Sequence, residues 1–529
     1  MAVVPIVDIF AGPGGLGEGF SRWSSDDLTF KIALSIEKDP AAHKTLLLRA
    51  FFRQFKAEDV PQHYYDYLAG LLSSDELFDY YPKEAGNARK EAWLHTLKDG
   101  DIDEVKQRAK AALAEFRCKE VVLIGGPPCQ AYSVAGRARM YHLERFQEDE
   151  RHFLYTHYLR LVAHLTPAVF VMENVKGMLT AAVNGESIFS KILEDLEFPG
   201  LAVKKLDRLK RAPTRYEYDI YSLVAHQETL KDELGLHVRP LKPQDYIIKS
   251  EDYGIPQRRH RVILMGVRKD LDPQLKRRLE VMAKVSVKDV LNDLPPIRSG
   301  VTKRENTWSS WFDALCEGLS SLQSQNIDSA VFEKMKSTRA LMVEKPLGLG
   351  RKITARDKRE YPRELADWYL DPKLGVVCSH EAKSHMKTDL WRYLFATSFA
   401  AVYGRSPLLK EYPNLLLPAH KNIDPQNKES ARFVDRFKVQ TGNEPASTVT
   451  SHISKDGHFF IHHDPIQCRA WSVREAARVQ TFPDNYLFEG NKTQQYHQVG
   501  NAVPPLLAYK IADIVGEHMS VIIRNKNGR

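Results

Sequence analysis

Val3 to Phe10 form an apolar run broken only by Asp8, and a glycine-rich turn, Gly12-Pro13-Gly14-Gly15-Leu16-Gly17, follows at once. A helix-compatible stretch then leads to a second apolar run, Ile32 to Ile36, closed by Glu37. Strand, glycine turn, helix and strand make a βαβ unit. Such a unit needs a crossover connection, so the two strands lie parallel and are covered on their faces by helices.

The same grammar continues. Val121 to Ile124, Val169 to Met172 and Val262 to Val267 read as further apolar strands, and residues 44 to 118 and Phe153 to Leu165 are helical in pattern. The expected fold is α/β, a mostly parallel sheet with helices on both faces. From about 270 to 440 the alternation gives way to charge clusters, prolines and scattered tryptophans, which predicts a second, less regular domain; 529 residues exceed one compact core. From Thr448 short segments return, ending in an apolar helix predicted over Pro505 to Val515 that rejoins the first domain.

Composition excludes some classes. An apolar share of 43% and a charged share of 27% are those of a globular chain, and no run approaches the ~20 apolar residues of a membrane span. The opening apolar run has no basic leader, so a cytoplasmic, nucleoid-associated protein is expected. Five cysteines lie far apart without a C-x-x-C pair, which predicts free thiols and no metal. Residues 201–300 hold 21 Lys/Arg against 14 Asp/Glu, close to the whole net charge of +8. A clustered positive face suits a polyanion.

A glycine turn between strand and helix lets a ligand approach backbone amides at a helix N-terminus, and Glu37 places a carboxylate where ribose hydroxyls could be held. Gly12, Gly14 and Gly17 also satisfy G-x-G-x-x-G, so this segment alone leaves an NAD-dependent dehydrogenase open. Gly125-Gly126-Pro127-Pro128-Cys129-Gln130 follows directly on the strand Val121 to Ile124. Ligands in open α/β sheets bind outside the carboxyl ends of strands, and two prolines stiffen a thiol presented there. The next strand ends in Glu173-Asn174-Val175, giving a nucleophile and an acid on neighbouring strands. Gln257-Arg258-Arg259-His260-Arg261 precedes a further strand, and alternation sends Arg259 and Arg261 to one face.

Taken together, Phe10 to Gly15, Gly126 to Gln130, Glu173 to Val175, Gln257-x-Arg259-x-Arg261, Arg474-Glu475 with Arg478 and Gln480 to Asp484, and Gly500 to Pro504 resemble, in order, the motifs of the DNA cytosine-5 methyltransferases of bacterial restriction-modification systems. The resemblance implies a Rossmann-like catalytic domain (1–270) that binds S-adenosylmethionine, a smaller target-recognition domain (271–445), and a C-terminal segment (446–529) that completes the first. It implies Cys129 as nucleophile, Glu173 as the acid at the base, and Arg259 and Arg261 as cations that favour thiolate or charged base. Cofactor contacts carried over are Phe10, Ala11, Gly12, Gly14, Gly15, Leu16, Glu37, Pro127, Leu154, Asn501, Ala502 and Val503, with Asp101 as the second acid and Asp59 its rival. Gln130, Ser133, Asn174, Val175, Gln257 and Thr448 are expected at the DNA. The expected partner is double-stranded DNA with a flipped cytosine, beside a separately acting restriction endonuclease, and the chain is expected to be a monomer.

Two relatives with other tasks remain alternatives at this point. A tRNA cytosine-5 methyltransferase shares the catalytic loop but carries a Cys-Phe-Thr signature absent here. A silent DNA-binding relative would lose the thiol or the acid. The histidines at 380, 385, 452, 458, 462 and 463 lack a metal-ligand framework and are read as ordinary polar residues, and the irregularly spaced tryptophans at 308, 311, 368 and 391 as core.

Overall fold

A computed structural model describes residues 1–128, 154–183, 186–225, 229–232, 235–238, 241–271, 277–355, 363–418, 436–455 and 457–527. Strands β1 (Ala2–Ile9), β2 (Leu28–Glu37), β3 (Ala92–Leu94), β4 (Val122–Gly125) and β5 (Val169–Val175) are parallel and lie side by side in the order β3-β2-β1-β4-β5. The chain continues through β6 (Tyr218–Tyr221), β7 (Ile247–Lys249), β8 (Gln257–Arg258) and β9 (His260–Arg268). Strand β9 joins the sheet antiparallel to β5, and β6 and β7 pair along its far edge. The sheet is mostly parallel, as the βαβ pattern predicts.

Both faces are covered. On one, α1 (Gly15–Arg22) packs with the last helix over Val4, Ile6, Ile32 and Val171. The first insertion runs through α2 (Pro40–Phe52), α3 (Gln62–Leu68), α4 (Ser74–Tyr80) and α5 (Pro82–Glu91) before β3. Asp39 caps α2 by accepting from the Ala41 and Ala42 amides at 3.0 and 2.8 Å, with Pro40 at the first helical position. The helical reading of 44–118, with its aromatic interruptions at Tyr64-Tyr65 and Tyr80-Tyr81-Pro82, misses β3, a strand of three residues too short to leave a periodic signal. On the other face α6 (Ile102–Ala114), α7 (Leu154–Leu165), α8 (Ile188–Glu197) and α9 (Pro199–Leu206) cover Val7, Ile9, Leu123, Phe170 and Leu264.

The middle of the chain has its own core. Helices α10 (Trp308–Leu322), α11 (Ser329–Glu344) and α12 (Lys387–Tyr403) meet around Trp311, Met335, Leu394 and Phe395, with Trp391 largely buried beside them. Strands β10 (Arg351–Ala355) and β11 (Val376–His380) form an antiparallel pair. The insertion braces this pair: Leu374 and Cys378 share a core with Phe51, Tyr64, Tyr65 and Leu68, and Tyr65 Oη donates to Asp371 at 2.8 Å.

Strand β12 (Ala446–Ser447) pairs in parallel with β8, and α13 (Val473–Val479), α14 (Lys492–Asn501) and α15 (Pro505–Asn527) follow. A capping box between Ser472 and Glu475 starts α13. Up to Val499 this segment packs chiefly on Val287, Val290, Leu291 and Leu294, and α15 alone returns to the sheet, extending twelve residues beyond the Val515 end read from the sequence. No helix among the described residues is long and apolar enough to cross a membrane.

Candidate active site

Register brings three sequence motifs to one level. Ile9 pairs with Gly125 and Gly125 with Met172, so Phe10, Gly126 and Glu173 are the next residues on three adjacent strands. A Cβ on Gly126 would stand 3.0 Å from Glu173 Oε2, so the proline loop leaves β4 pressed against that carboxylate. Pro127 is buried; Cys129, Gln130 and Ser133, which follow in this loop, lie outside the described residues.

Antiparallel β9 supplies the cation. Arg261 is opposite Val175, two residues beyond Glu173, and its Nε lies 2.8 Å from Glu173 Oε1 while Nη1 donates to the His260 carbonyl. Both side chains keep 14% of their surface, enough for a reactant to reach them. Asn174 is buried and accepts from the Val175 amide, a bond that shapes the strand end and leaves the side chain little reach outward.

Strict alternation does not hold across the arginine motif. The chain turns between β8 and β9, with the Arg259 amide donating to the Gln257 carbonyl at 3.0 Å, so Arg259 and Arg261 part. Arg259 is 2% exposed and donates to the carbonyls of Val449 at 2.7 Å and Gly500 at 3.3 Å. Gln257, expected at the DNA, is fully buried; its amide donates to the Val479 carbonyl and accepts from the Val449 amide. Both fasten the strand to the C-terminal segment. Thr448 is half-buried and donates to the Arg258 carbonyl at 2.6 Å.

Beside Glu173 lies the glycine turn. Phe10, Gly12 and Gly14 have φ of 54, 58 and 93°, a left-handed path that glycine takes without strain and Phe10 takes at a cost of about 1 kcal/mol or more. The Ala11 amide donates to the Ile36 carbonyl, and Glu37 accepts from the Gly12 amide at 2.8 Å and the Asp39 amide at 2.7 Å, which aims the carboxylate. A Cβ on Gly15 would stand 2.2 Å from the Val503 carbonyl, so the 501–503 turn closes over the loop. Tyr486 Oη donates to the Pro13 carbonyl from behind. Asn501 is exposed, Ala502 and Val503 are buried, Leu16 points into the core under α1, and Leu154 begins α7 half-buried. Asp101 sits near the end of β2: its Oδ2 is 3.2 Å from His95 Nε2, and the His95 amide donates to the Glu37 carbonyl. Asp59 is on an exposed turn of the insertion.

Three residues of this wall escaped the sequence reading. Trp93 stacks on His95 with centroids 4.1 Å apart, and their only trace was the short apolar stretch at 92–94. Asp8 is fully buried beneath α1 with no hydrogen-bond partner among the described residues, and burial pushes its carboxyl up to about 8. An acid inside an apolar strand was its signal. The wall suits an adenosyl donor: Phe10 is an aromatic surface, Glu37 a fixed acceptor, and at Gly12 no heavy atom of the described residues, its chain neighbours aside, lies within 4 Å of the Cβ position.

Known proteins resemble this chain along nearly its whole length. Type II methyltransferase M.Bpa9945I of Bacillus paralicheniformis is 31% identical, covering 97% of this chain and 99% of the relative. Type II methyltransferase M.XorII of Xanthomonas oryzae pv. oryzae is 25% identical over 95% of this chain and 82% of the relative. Among solved structures, a prophage-encoded methyltransferase from E. coli superimposes with a TM-score of 0.47 at 19% identity, covering 98% of this chain and 99% of that one. Residues 83–206 and 232–517 match the model of the C-5 cytosine-specific DNA methylases, and with it the chain belongs to that family.

Proposed function

We propose that this DNA cytosine-5 methyltransferase works through Cys129 as nucleophile, with Glu173 and Arg261 as the pair that handles charge on the base. The observation carrying this reading is the 2.8 Å Arg261–Glu173 contact at the strand ends, with Gly126 of the cysteine loop against the same carboxylate. Cytosine carbon 5 is a poor nucleophile while the ring is aromatic. Addition of the Cys129 thiolate to carbon 6, with Glu173 donating a proton at ring nitrogen 3, leaves carbon 6 saturated and shifts the double bond to carbons 4 and 5, an enamine whose carbon 5 is nucleophilic. Bound S-adenosylmethionine supplies an electrophilic methyl group. Removal of the proton at carbon 5 then restores the double bond and expels the thiolate. Arg261 orients Glu173, and Arg259 acts at a distance by holding the Val449 and Gly500 turns.

The donor's adenosyl group is assigned to Phe10, Ala11, Gly12, Gly14, Gly15, Glu37, Asp101, Pro127 and Leu154, with the Asn501 to Val503 turn closing over it. The glycine turn lies outside the residues matched to the family, so its role rests on its position at the same level as Glu173, with β4 between them. The target is a cytosine swung out of duplex DNA, at a cost of a few kcal/mol that contacts elsewhere offset. Recognition of the flanking sequence is assigned to the 271–445 region, with Thr448, Val175, Gln130 and Ser133 near the DNA. The enzyme is further assigned a restriction-modification setting, which the type II names of the relatives support, and within it the role of a monomer acting apart from a restriction endonuclease.

Cys129→Ala is expected to retain cofactor binding and lose methyl transfer completely; methylation by that variant would remove the thiol from the scheme. Duplex DNA with 5-fluorocytosine at the target is expected to become covalently attached at Cys129, because fluorine blocks the elimination, and mass spectrometry reads the adduct.

A further inference from the structure

Between Lys204 and Arg215 six cations, Lys204, Lys205, Arg208, Lys210, Arg211 and Arg215, accompany a single acid, Asp207. All six are exposed. Of the nearby acids, Asp207 is engaged with Arg160 at 2.7 Å and Glu217 with Lys269 at 3.1 Å, while Asp195 lies within electrostatic reach of Lys191 and Lys205. Helix and loop form one surface, because the Thr214 carbonyl occupies the space where a Cβ on Gly200, in the first turn of α9, would stand. Arg208 has φ of 51°, a left-handed position just past a helix end where glycine is the unstrained choice. A cation stands there instead.

Asp207 shares Arg160 with Asp99 on the adenosyl side, but the surface lies away from the strand ends where the base is handled. The loop enters β6 at Tyr218, which pairs with Arg268, whereas Arg261 is the residue beside Glu173. Seven residues of β9 separate the two levels, about 23 Å at ~3.3 Å per residue. Phosphates adjacent to a base held at Glu173 are out of its reach.

We propose that the Lys204–Arg215 surface is a second, sequence-independent contact for DNA, engaging the phosphates of a duplex segment away from the target site. It rests on the reading of duplex DNA as the substrate. Six exposed cations in twelve residues, none in a salt bridge among the described residues, match a polyanion in charge, and the polyanion this enzyme meets in every cycle is a long DNA molecule. Such a contact raises the affinity for long DNA and lets the enzyme hold on between sites.

The test is the joint replacement Lys204→Gln, Lys205→Gln, Arg208→Gln and Arg211→Gln in the full chain. Methylation of a duplex just long enough to hold the target is expected to keep its rate and KM. Binding to the same target within kilobase DNA is expected to weaken at least tenfold at low salt, with the slope of log K against log salt shallower by about 3 to 4, near 0.9 per lost phosphate contact. Unchanged affinity and slope on long DNA would overturn the proposal, as would an equal loss on both DNAs. Exposed Leu201, Leu206 and Leu209 adjoin the cations. Loss of binding to phosphatidylserine vesicles with DNA binding intact would therefore overturn it too, assigning the surface to a membrane. A wild-type enzyme that methylates neither DNA would sink the substrate reading instead.

Discussion

Two sets of arginine–carboxylate pairs in this molecule do opposite things. At the strand ends Arg261 and Glu173 touch at 2.8 Å and both remain 14% exposed. In the junction between residues 285–298 and 467–486, Arg478 holds Asp293 at 2.6 Å and Asp484 at 2.7 Å, and Arg469 holds Glu475 at 2.6 Å, with none of these side chains more than 3% exposed. Burial alone would raise the Glu475 carboxyl, yet the charge and hydrogen bonds of Arg469 outweigh it and hold it far below the usual range. A sealed pair has no route for exchanging protons or meeting a substrate, so it fixes segments in place. An open pair has given up part of that rigidity for access. Same chemistry, different solvent exposure, different task.

Breaking each pair separates the tasks. Glu173→Gln keeps the shape and removes the titrating group, so kcat is expected to fall by about 10²–10⁴, the usual scale for a general acid, while the denaturation midpoint hardly moves. Arg478→Met should do the reverse: two carboxylates stay buried without a cation, at about 3–5 kcal/mol of stability by urea denaturation. A large stability loss in the first variant, or an unchanged midpoint in the second, would erase the distinction.

The smallest effect, taken per pH unit, is in pH dependence, where the buried imidazoles and a buried carboxyl differ in sign. Burial pushes His380 and His463 down to about 4 and His385 to about 3, against ~6.5 in an unfolded chain. Below pH ~6.5 the unfolded chain takes up protons that these folded imidazoles refuse. The junction's contribution is therefore full above that pH and shrinks as pH falls toward 4, on the order of 1 kcal/mol per pH unit and group. Asp8, pushed up to about 8 by burial, acts oppositely: folded it keeps a proton that the unfolded chain sheds near 4, so stability declines as pH rises from 4 to 8. Asp8→Asn is expected to flatten the alkaline limb and His380→Gln the acid limb in midpoints measured from pH 4 to 8.

Much of the site was legible because strand ends are legible. An apolar run that stops at glycine or proline announces a loop at the carboxyl end of a parallel strand, and Phe10, Gly126 and Glu173 meet on that basis. The arginine motif was readable only in part. Alternation assumes an unbroken strand, and the turn between β8 and β9 separated Arg259 from Arg261 and buried Gln257. Of the histidines read as ordinary polar residues, His380 is buried and bridges Ser472 and the Pro295 carbonyl, His458 is half-buried and meets Tyr393 Oη at 2.7 Å, and His452 is exposed.

Sequence by itself determined the α/β class, the glycine turn and the acids and thiol that follow apolar strands, since each depends on neighbours within a few residues along the chain. Tertiary structure alone decided which cation meets Glu173, that the insertion braces β10 and β11, and that Arg259 reaches a carbonyl 241 positions away. Those choices are made where separate segments pack and every buried donor must find an acceptor, and no local pattern encodes which partner that will be.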